Sequence, residues 1–264
     1  MHLSPSTIRT YLSAICYEHR LSGWANPRGE SGLLKLVLDG CKRIDAEKGI
    51  FPELRQPIDA KALDKLIKSL NLNSFRELRF ATFASLAFYG AFRPCELVMS
   101  ESDTSFLWQD LATIQHECGV EYLQISQYIS KTRQYGPFIR IAIGVHGGHT
   151  CPQRLLRRYA AMLQRTDAKS PVFTDQDGAT PYWYDEALQD MRFYLKQAGW
   201  ASTKNYSLHS FRIGMATEAG RSELPDNTIK MMGRWTSDCF LRYIRADPLH
   251  LAKTTAALAY RNQY

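Results

Sequence analysis

Ser207-Leu-His-Ser-Phe-Arg-Ile-Gly214 and, further along, Gly233-Arg-Trp-Thr-Ser-Asp-Cys-Phe-Leu-Arg-Tyr243 hold the residues on which the reading of this chain turns. His209 and Arg212 stand three positions apart at an expected helix start, which puts them on one face. Helix N-termini favour anions. Gly233 suits the left-handed closing position of one short helix, and Ser237 or Asp238 can cap the next. Along that second helix Phe240, Leu241 and Ile244 are expected to face a core, while Arg242, Tyr243 and Arg245 present a phenol flanked by cations. A phenol ionises only near pH ~10, so a nucleophilic tyrosine needs positive charge beside it. Taken alone, Tyr243 reads as a half-buried packing residue, the commoner fate of a tyrosine.

Toward the N-terminus, Arg93 follows an almost wholly apolar run from Phe80 to Phe92, interrupted by Thr82, Ser85 and Gly90. That run is read as a central buried helix opened by a Ser74/Glu77 capping box. Arg93 then emerges from a rigid support, with Pro94 next and Glu96 three positions on. Its guanidinium can offer paired donors to phosphate oxygens, or simply pair with Glu96. Short β-type runs at Leu111–Ile114, Glu121–Ile125 and Phe138–Ile143 predict a small antiparallel sheet. Helical periodicity marks Leu63, Leu66, Ile67 and Leu70 behind an Asp59 cap, then Leu155 to Leu163, then Tyr184 to Leu195. The fold class is therefore mainly α with a small antiparallel β-sheet, α+β. Residues 6–20 and 31–47 read as two helices ahead of a break at Gly49, Pro52 and Pro57, which separates a helical domain over 1–52 from a larger one over 58–264. At the other end, Asp247-Pro248 opens a helix whose Leu249, Leu251, Ala252, Thr255, Ala256, Leu258 and Ala259 form an apolar face.

The chain has 264 residues, with 33 Lys and Arg against 26 Asp and Glu, a formal charge of +7 that favours polyanionic partners. No apolar run approaches the ~18 residues needed to cross a bilayer, and no signal-peptide core opens the chain. The expectation is a protein kept inside the cell, without membrane contact and not secreted. Six scattered cysteines without a C-x-x-C pair suit reduced thiols. His146-Gly-Gly-His149-Thr-Cys151 holds three conceivable metal ligands, with His116 and Cys118 as further candidates, but reads as well as a polar loop ending at Pro152.

Five elements in order, Arg93-Pro-Cys-Glu96, Lys131 in Ser130-Lys-Thr-Arg-Gln-Tyr-Gly136, His209-Ser-Phe-Arg212, Gly233-Arg-Trp235 and Tyr243, together resemble the catalytic signature of the tyrosine recombinases, also called phage-integrase-type recombinases. Leu208-His-Ser-Phe-Arg-Ile-Gly214 and Gly233-Arg-Trp-Thr-Ser-Asp238 are similar in flavour to the Crypton and DIRS-like recombinases of eukaryotic mobile elements. The resemblance implies a core-binding domain over 1–52, cut short at its start, and a catalytic domain over 58–264. One departure stands out. Eight positions separate Trp235 from Tyr243, where many members have one more, so the turn before the tyrosine has to be shorter.

What the resemblance implies is site-specific cleavage and rejoining of DNA strands for integration or transposition, through a 3′-phosphotyrosyl link to Tyr243 and without metal, ATP or other cofactor. Arg93 and Arg212 would clamp the scissile phosphate, with Glu96 orienting its neighbours. His209 would bond the phosphate or help Tyr243 lose its proton, and Trp235 would donate its indole N–H. Lys131 would protonate the departing 5′ oxygen. Arg234, Arg242 and Arg245 are expected to contact DNA. The partners implied are double-stranded DNA bearing recombination sites and further copies of the chain, a dimer per site and a tetramer across two. The location implied is nuclear in a eukaryote and cytoplasmic otherwise. DNA relaxation like that of a type IB topoisomerase, and DNA binding by a recombinase that no longer cuts, are the alternative readings.

Overall fold

A computed structural model describes residues 3–29, 32–51, 53–101, 105–128, 138–244, 252, 255 and 256. Lys131 and Arg245 lie outside these residues. So does the helix expected after Asp247-Pro248, except for Ala252, Thr255 and Ala256, which are helical and exposed. The chain divides into two compact units, residues 1–54 and 55–264. The first holds α1 (Pro5–Leu21) and α2 (Leu33–Glu47). Ser4 caps α1 by accepting from the Thr7 amide, and Leu38 is buried within α2.

In the second unit the helices of the core lean on one helix. That helix is α4 (Phe75–Tyr89), buried continuously from Leu78 to Phe88. A helix apolar on all sides has to lie at the centre, and α4 does: the Phe83 ring meets Phe173, Tyr182 and Phe211 from three other segments. Around it pack α3 (Ala60–Lys68), α6 (Pro152–Met162), α7 (Tyr184–Gln197) and α8 (Ser210–Arg221). Asp59 caps α3 as expected, its side chain accepting from the Ala62 amide at 2.9 Å. The capping box expected at Ser74 is not made. Glu77 instead accepts from the backbone N–H of Asn71 at 2.7 Å, and the Ser74 side chain makes no cap bond. The preceding turn leaves that Asn71 donor without a ladder partner, and a carboxylate is the stronger acceptor for it.

One polar network sits inside this core. Arg79 is 2% exposed; it bonds Asp175 and Glu186 and stacks its guanidinium 3.8 Å over the Tyr182 ring. Arg76 and Tyr182 hold the buried Asp190. A buried guanidinium is tolerable only with partners of this kind.

The expected sheet forms as β1 (Leu111–Gln115), β2 (Glu121–Gln127) and β3 (Ile139–Gly144), antiparallel in the order β1-β2-β3. Leu123 and Ile125 pair with Ile143 and Ile141, and all four are buried. No described helix is long and apolar enough to cross a membrane.

Candidate active site

Four separate segments bring the sequence-derived residues together. Arg93 is the N-cap of a one-turn helix, α5 (Pro94–Leu97), directly after α4. Glu96 of that turn accepts from the Arg93 backbone N–H at 2.9 Å and from its Nη1 at 3.0 Å. His209 opens α8 and Arg212 lies in its first turn. Trp235 follows α9 (Asp226–Gly233), and Tyr243 closes a 3-10 turn, Asp238–Arg242. The Tyr243 ring lies 5.3 Å from that of His209 and 5.8 Å from that of Trp235. The Thr217 hydroxyl donates to the Tyr243 carbonyl at 2.8 Å, fixing the segment to α8.

The sequence predicts an ordinary α-helix before Tyr243, and the structure has a more tightly wound turn there instead. A 3-10 segment rises ~2.0 Å per residue against ~1.5 Å in an α-helix. Five residues wound this way gain roughly 2.5 Å of reach, more than the rise of one α-helical residue.

Two turns of the same form face each other across Arg212. In Gly90-Ala91-Phe92 and in Gly233-Arg234-Trp235 the middle residue is left-handed, Ala91 at φ 46° and Arg234 at φ 56°. In each the aromatic ring folds back over the glycine: a Cβ on Gly90 would fall 2.1 Å from the Phe92 ring, and one on Gly233 would fall 1.9 Å from the Trp235 ring. The left-handed closure expected at Gly233 is therefore taken by Arg234, and Gly233 is needed for the approach of the indole. Arg212 spans the pair, Nη1 donating to the Ala91 carbonyl and Nη2 to that of Gly233, both at 2.5 Å. Its guanidinium lies 4.7 Å from the Trp235 ring centre. The Gly90–Phe92 turn went unnoticed in the sequence; the repeated glycine-x-aromatic spacing is the signal that marks it.

Arg234, expected at a DNA surface, is turned inward. Its side chain is 8% exposed, bonds Glu96 at 3.1 Å and the Gly90 carbonyl at 2.8 Å, and stacks on Phe92. Glu96 is fully buried, and a carboxylate there needs more than one cation to stay charged. Burial pushes its carboxyl up, but Arg234, the Arg93 N–H and charge, and the nearby Gln127 amide together hold it below the ordinary carboxylate value. Arg212 is drawn down to about 9, first by burial and then by the charges of Arg93 and Arg234. His209 is lowered to about 4 by burial, then by Arg212, Arg55 and Arg93, so its imidazole is neutral at pH 7. Three guanidinium groups around one carboxylate leave a net positive centre beside a neutral imidazole and a phenol, an arrangement with the charge to receive an anion.

Arg242 is exposed. The loop considered for metal is engaged elsewhere: His149 Nε2 lies 3.0 Å from Asp64, and the His146 ring packs on Tyr89. Among the described residues no three His, Cys, Asp or Glu side chains gather as a metal-holding group.

No protein-family model and no curated protein matches the sequence. Solved structures do match. XerH site-specific recombinase, in a post-cleavage complex with palindromic difH substrate, superposes with a TM-score of 0.56 at 14% identity over 78% of this chain. XerA recombinase does so with a TM-score of 0.51 at 14% identity over 100% of this chain and 85% of its own. The fold is that of the tyrosine recombinases. A transposon integrase, that of Tn1549 in complex with a circular intermediate DNA, shares it with a TM-score of 0.51 at 10% identity, over 93% of this chain and 83% of its own. The chain spans about half the length of the XerH protein, 53%. On the tyrosine-recombinase fold seen here, Arg93, Glu96, His209, Arg212, Trp235 and Tyr243 converge from segments some 150 residues apart, the interval from Arg93 to Tyr243.

Proposed function

We propose that this chain is a site-specific DNA recombinase or integrase that cuts and rejoins strands through Tyr243. The observation that carries the reading is the meeting of a phenol, a neutral imidazole and an arginine pair in one place on the tyrosine-recombinase fold. Arg93 and Arg212 hold the non-bridging oxygens of the scissile phosphate and stabilise the charge added in the transition state. The Tyr243 oxygen attacks phosphorus, the bond to the 5′ oxygen breaks, and the chain is joined to the 3′ phosphate. His209, neutral before DNA binds, takes or shares the phenol proton. Lys131 returns a proton to the 5′ oxygen, the role that the resemblance implies for it. A 5′ hydroxyl from a second strand reverses the step, so bond energy is kept and neither metal nor nucleotide is consumed.

Arg234 is assigned a supporting role, neutralising Glu96 behind Arg93. Arg242 and Arg245 are assigned to the DNA backbone, and residues 1–52 to a helical core-binding domain. Two copies act on each site and four in the synapse. The test is incubation of the protein with nicked suicide duplexes drawn from the DNA flanking its own coding sequence. A protein–DNA adduct on the 3′ end is expected, unaffected by EDTA. Relaxation of supercoiled DNA without joining of two duplexes would transfer the chain to the topoisomerases, and absence of any adduct across the flanking DNA would overturn the reading.

A further inference from the structure

The alternation along β2 places Leu123, Ile125 and Gln127 on the same buried face of the strand. Leu123 and Ile125 fill the core as such positions do. Gln127 has an amide where the pattern supplies hydrocarbon, and it is 4% exposed. Its Nε2 lies close to the Glu96 carboxylate but makes no hydrogen bond of full geometry to it or to any other described residue. Native interiors rarely leave a buried donor in this state, and one that does so asks for an explanation.

The surroundings of Gln127 supply one. It lines a cavity of about 830 Å³ together with Arg93, Arg140, Lys230, Arg234 and Trp235. Two of these, Arg93 and Trp235, belong to the candidate site itself, so the amide stands at the wall of the space where a phosphate would lie. The wall is strongly cationic, and Arg212 behind it is already drawn down in pKa by its guanidinium neighbours. A further cation there would be resisted by the same repulsion. A neutral N–H donor adds a hydrogen bond to an anion without adding charge.

We propose that Gln127 is a further phosphate-binding residue, whose Nε2–H donates to one non-bridging oxygen of the scissile phosphate. This rests on the recombinase reading given above. The Gln127 amide also lies near enough to Glu96 to help keep that carboxylate charged, so in the free protein it is held at the edge of the anion site, ready to turn to the phosphate.

The test compares Gln127→Met, which keeps the length and removes the donor, with the unaltered chain. On suicide DNA the variant is expected to form adduct roughly 100-fold more slowly, the loss typical of one oxyanion donor. Methylphosphonate placed at the scissile position, as separated stereoisomers, distinguishes a phosphate contact from a structural effect. The penalty is expected to vanish on the isomer lacking the contacted oxygen and to persist on the other. An equal penalty on both isomers, or none on ordinary DNA, would overturn the assignment while leaving the recombinase reading intact. A second measurement does not depend on strand cleavage. In ¹⁵N-labelled protein the Gln127 side-chain amide signals, assigned by their loss in Q127M, are expected to shift as inorganic phosphate is added. Signals that stay fixed while other residues of the cavity respond would equally overturn it.

Discussion

Tyr243 carries the chemistry in the proposed mechanism through one oxygen atom, so its removal is the sharpest test at the scale of a residue. Tyr243→Phe keeps the ring that packs on His209 and Trp235 and is expected to abolish the covalent adduct while DNA affinity changes less than about twofold, well under 1 kcal/mol. An adduct surviving in that variant would move the nucleophile elsewhere. His209 makes a different prediction, in pH. Its pKa is about 4 in the folded protein against an ordinary 6.5, so between these values the unfolded chain binds more protons. Stability is then fully present above pH 6.5 and is lost as pH falls toward 4. His209→Gln should flatten this part of the profile in thermal melts. A melting temperature that falls equally in both proteins over that window would assign the acid sensitivity to other groups. That His209, Arg212 and Tyr243 belong to one cluster was legible in the sequence because each sits in a motif, and the structure brings them together. The inward turn of Arg234 was not, since nothing in a linear string says that Glu96 is fully buried and needs a second cation.

The elements show the same division. The central helix α4 could be read from an apolar run with no polar face, and α3 from one stripe behind an aspartate cap. Both signals are local. The 3-10 turn ahead of Tyr243 was misread as an α-helix because 3-10 and α segments share residue preferences and differ only in winding, which the distance to be spanned decides. The paired turns at Gly90–Phe92 and Gly233–Trp235 are joined by Arg212 across more than a hundred residues, beyond the range of any local pattern. They also yield a prediction. Gly233→Ala forces a methyl group into the Trp235 ring and is expected to cost about 1–3 kcal/mol as overpacking, together with loss of adduct formation, because the indole and the Arg212 carbonyl anchor both shift. Gly178→Ala, at a left-handed glycine away from the site, is the control: it should lower stability and leave the rate of the folded fraction unchanged. Equal kinetic damage in both would remove the special status of the Gly233 turn.

At the scale of the whole molecule the sequence offered a charge of +7 and two unequal parts, a short helical one and a larger α+β one. The charge is a modest excess, and part of it is committed internally: Arg79 and Arg212 are buried in the larger unit, and the Arg234 side chain is only 8% exposed. The cations that remain outside, including those of α6, are the ones that can meet a duplex. If the protein grips DNA as proposed, the logarithm of affinity should fall with the logarithm of salt by a slope near 5, as expected for about six phosphates at ~0.9 each. A flat dependence measured by fluorescence anisotropy would mean that the duplex is not held through its backbone.

The indole of Trp235 lies under the Arg212 guanidinium and against the rings of Phe240 and Tyr243. It is one of five tryptophans in the chain. An indole so placed is an optical reporter built into the site, because a guanidinium and a phenol at such range both alter its excited state. The signal isolated by subtracting a Trp235→Phe variant should change when the Tyr243 segment leaves or re-enters its place beside His209. Each docking of the tyrosine could then be timed by stopped-flow emission before any strand is cut, in protein that carries no added dye.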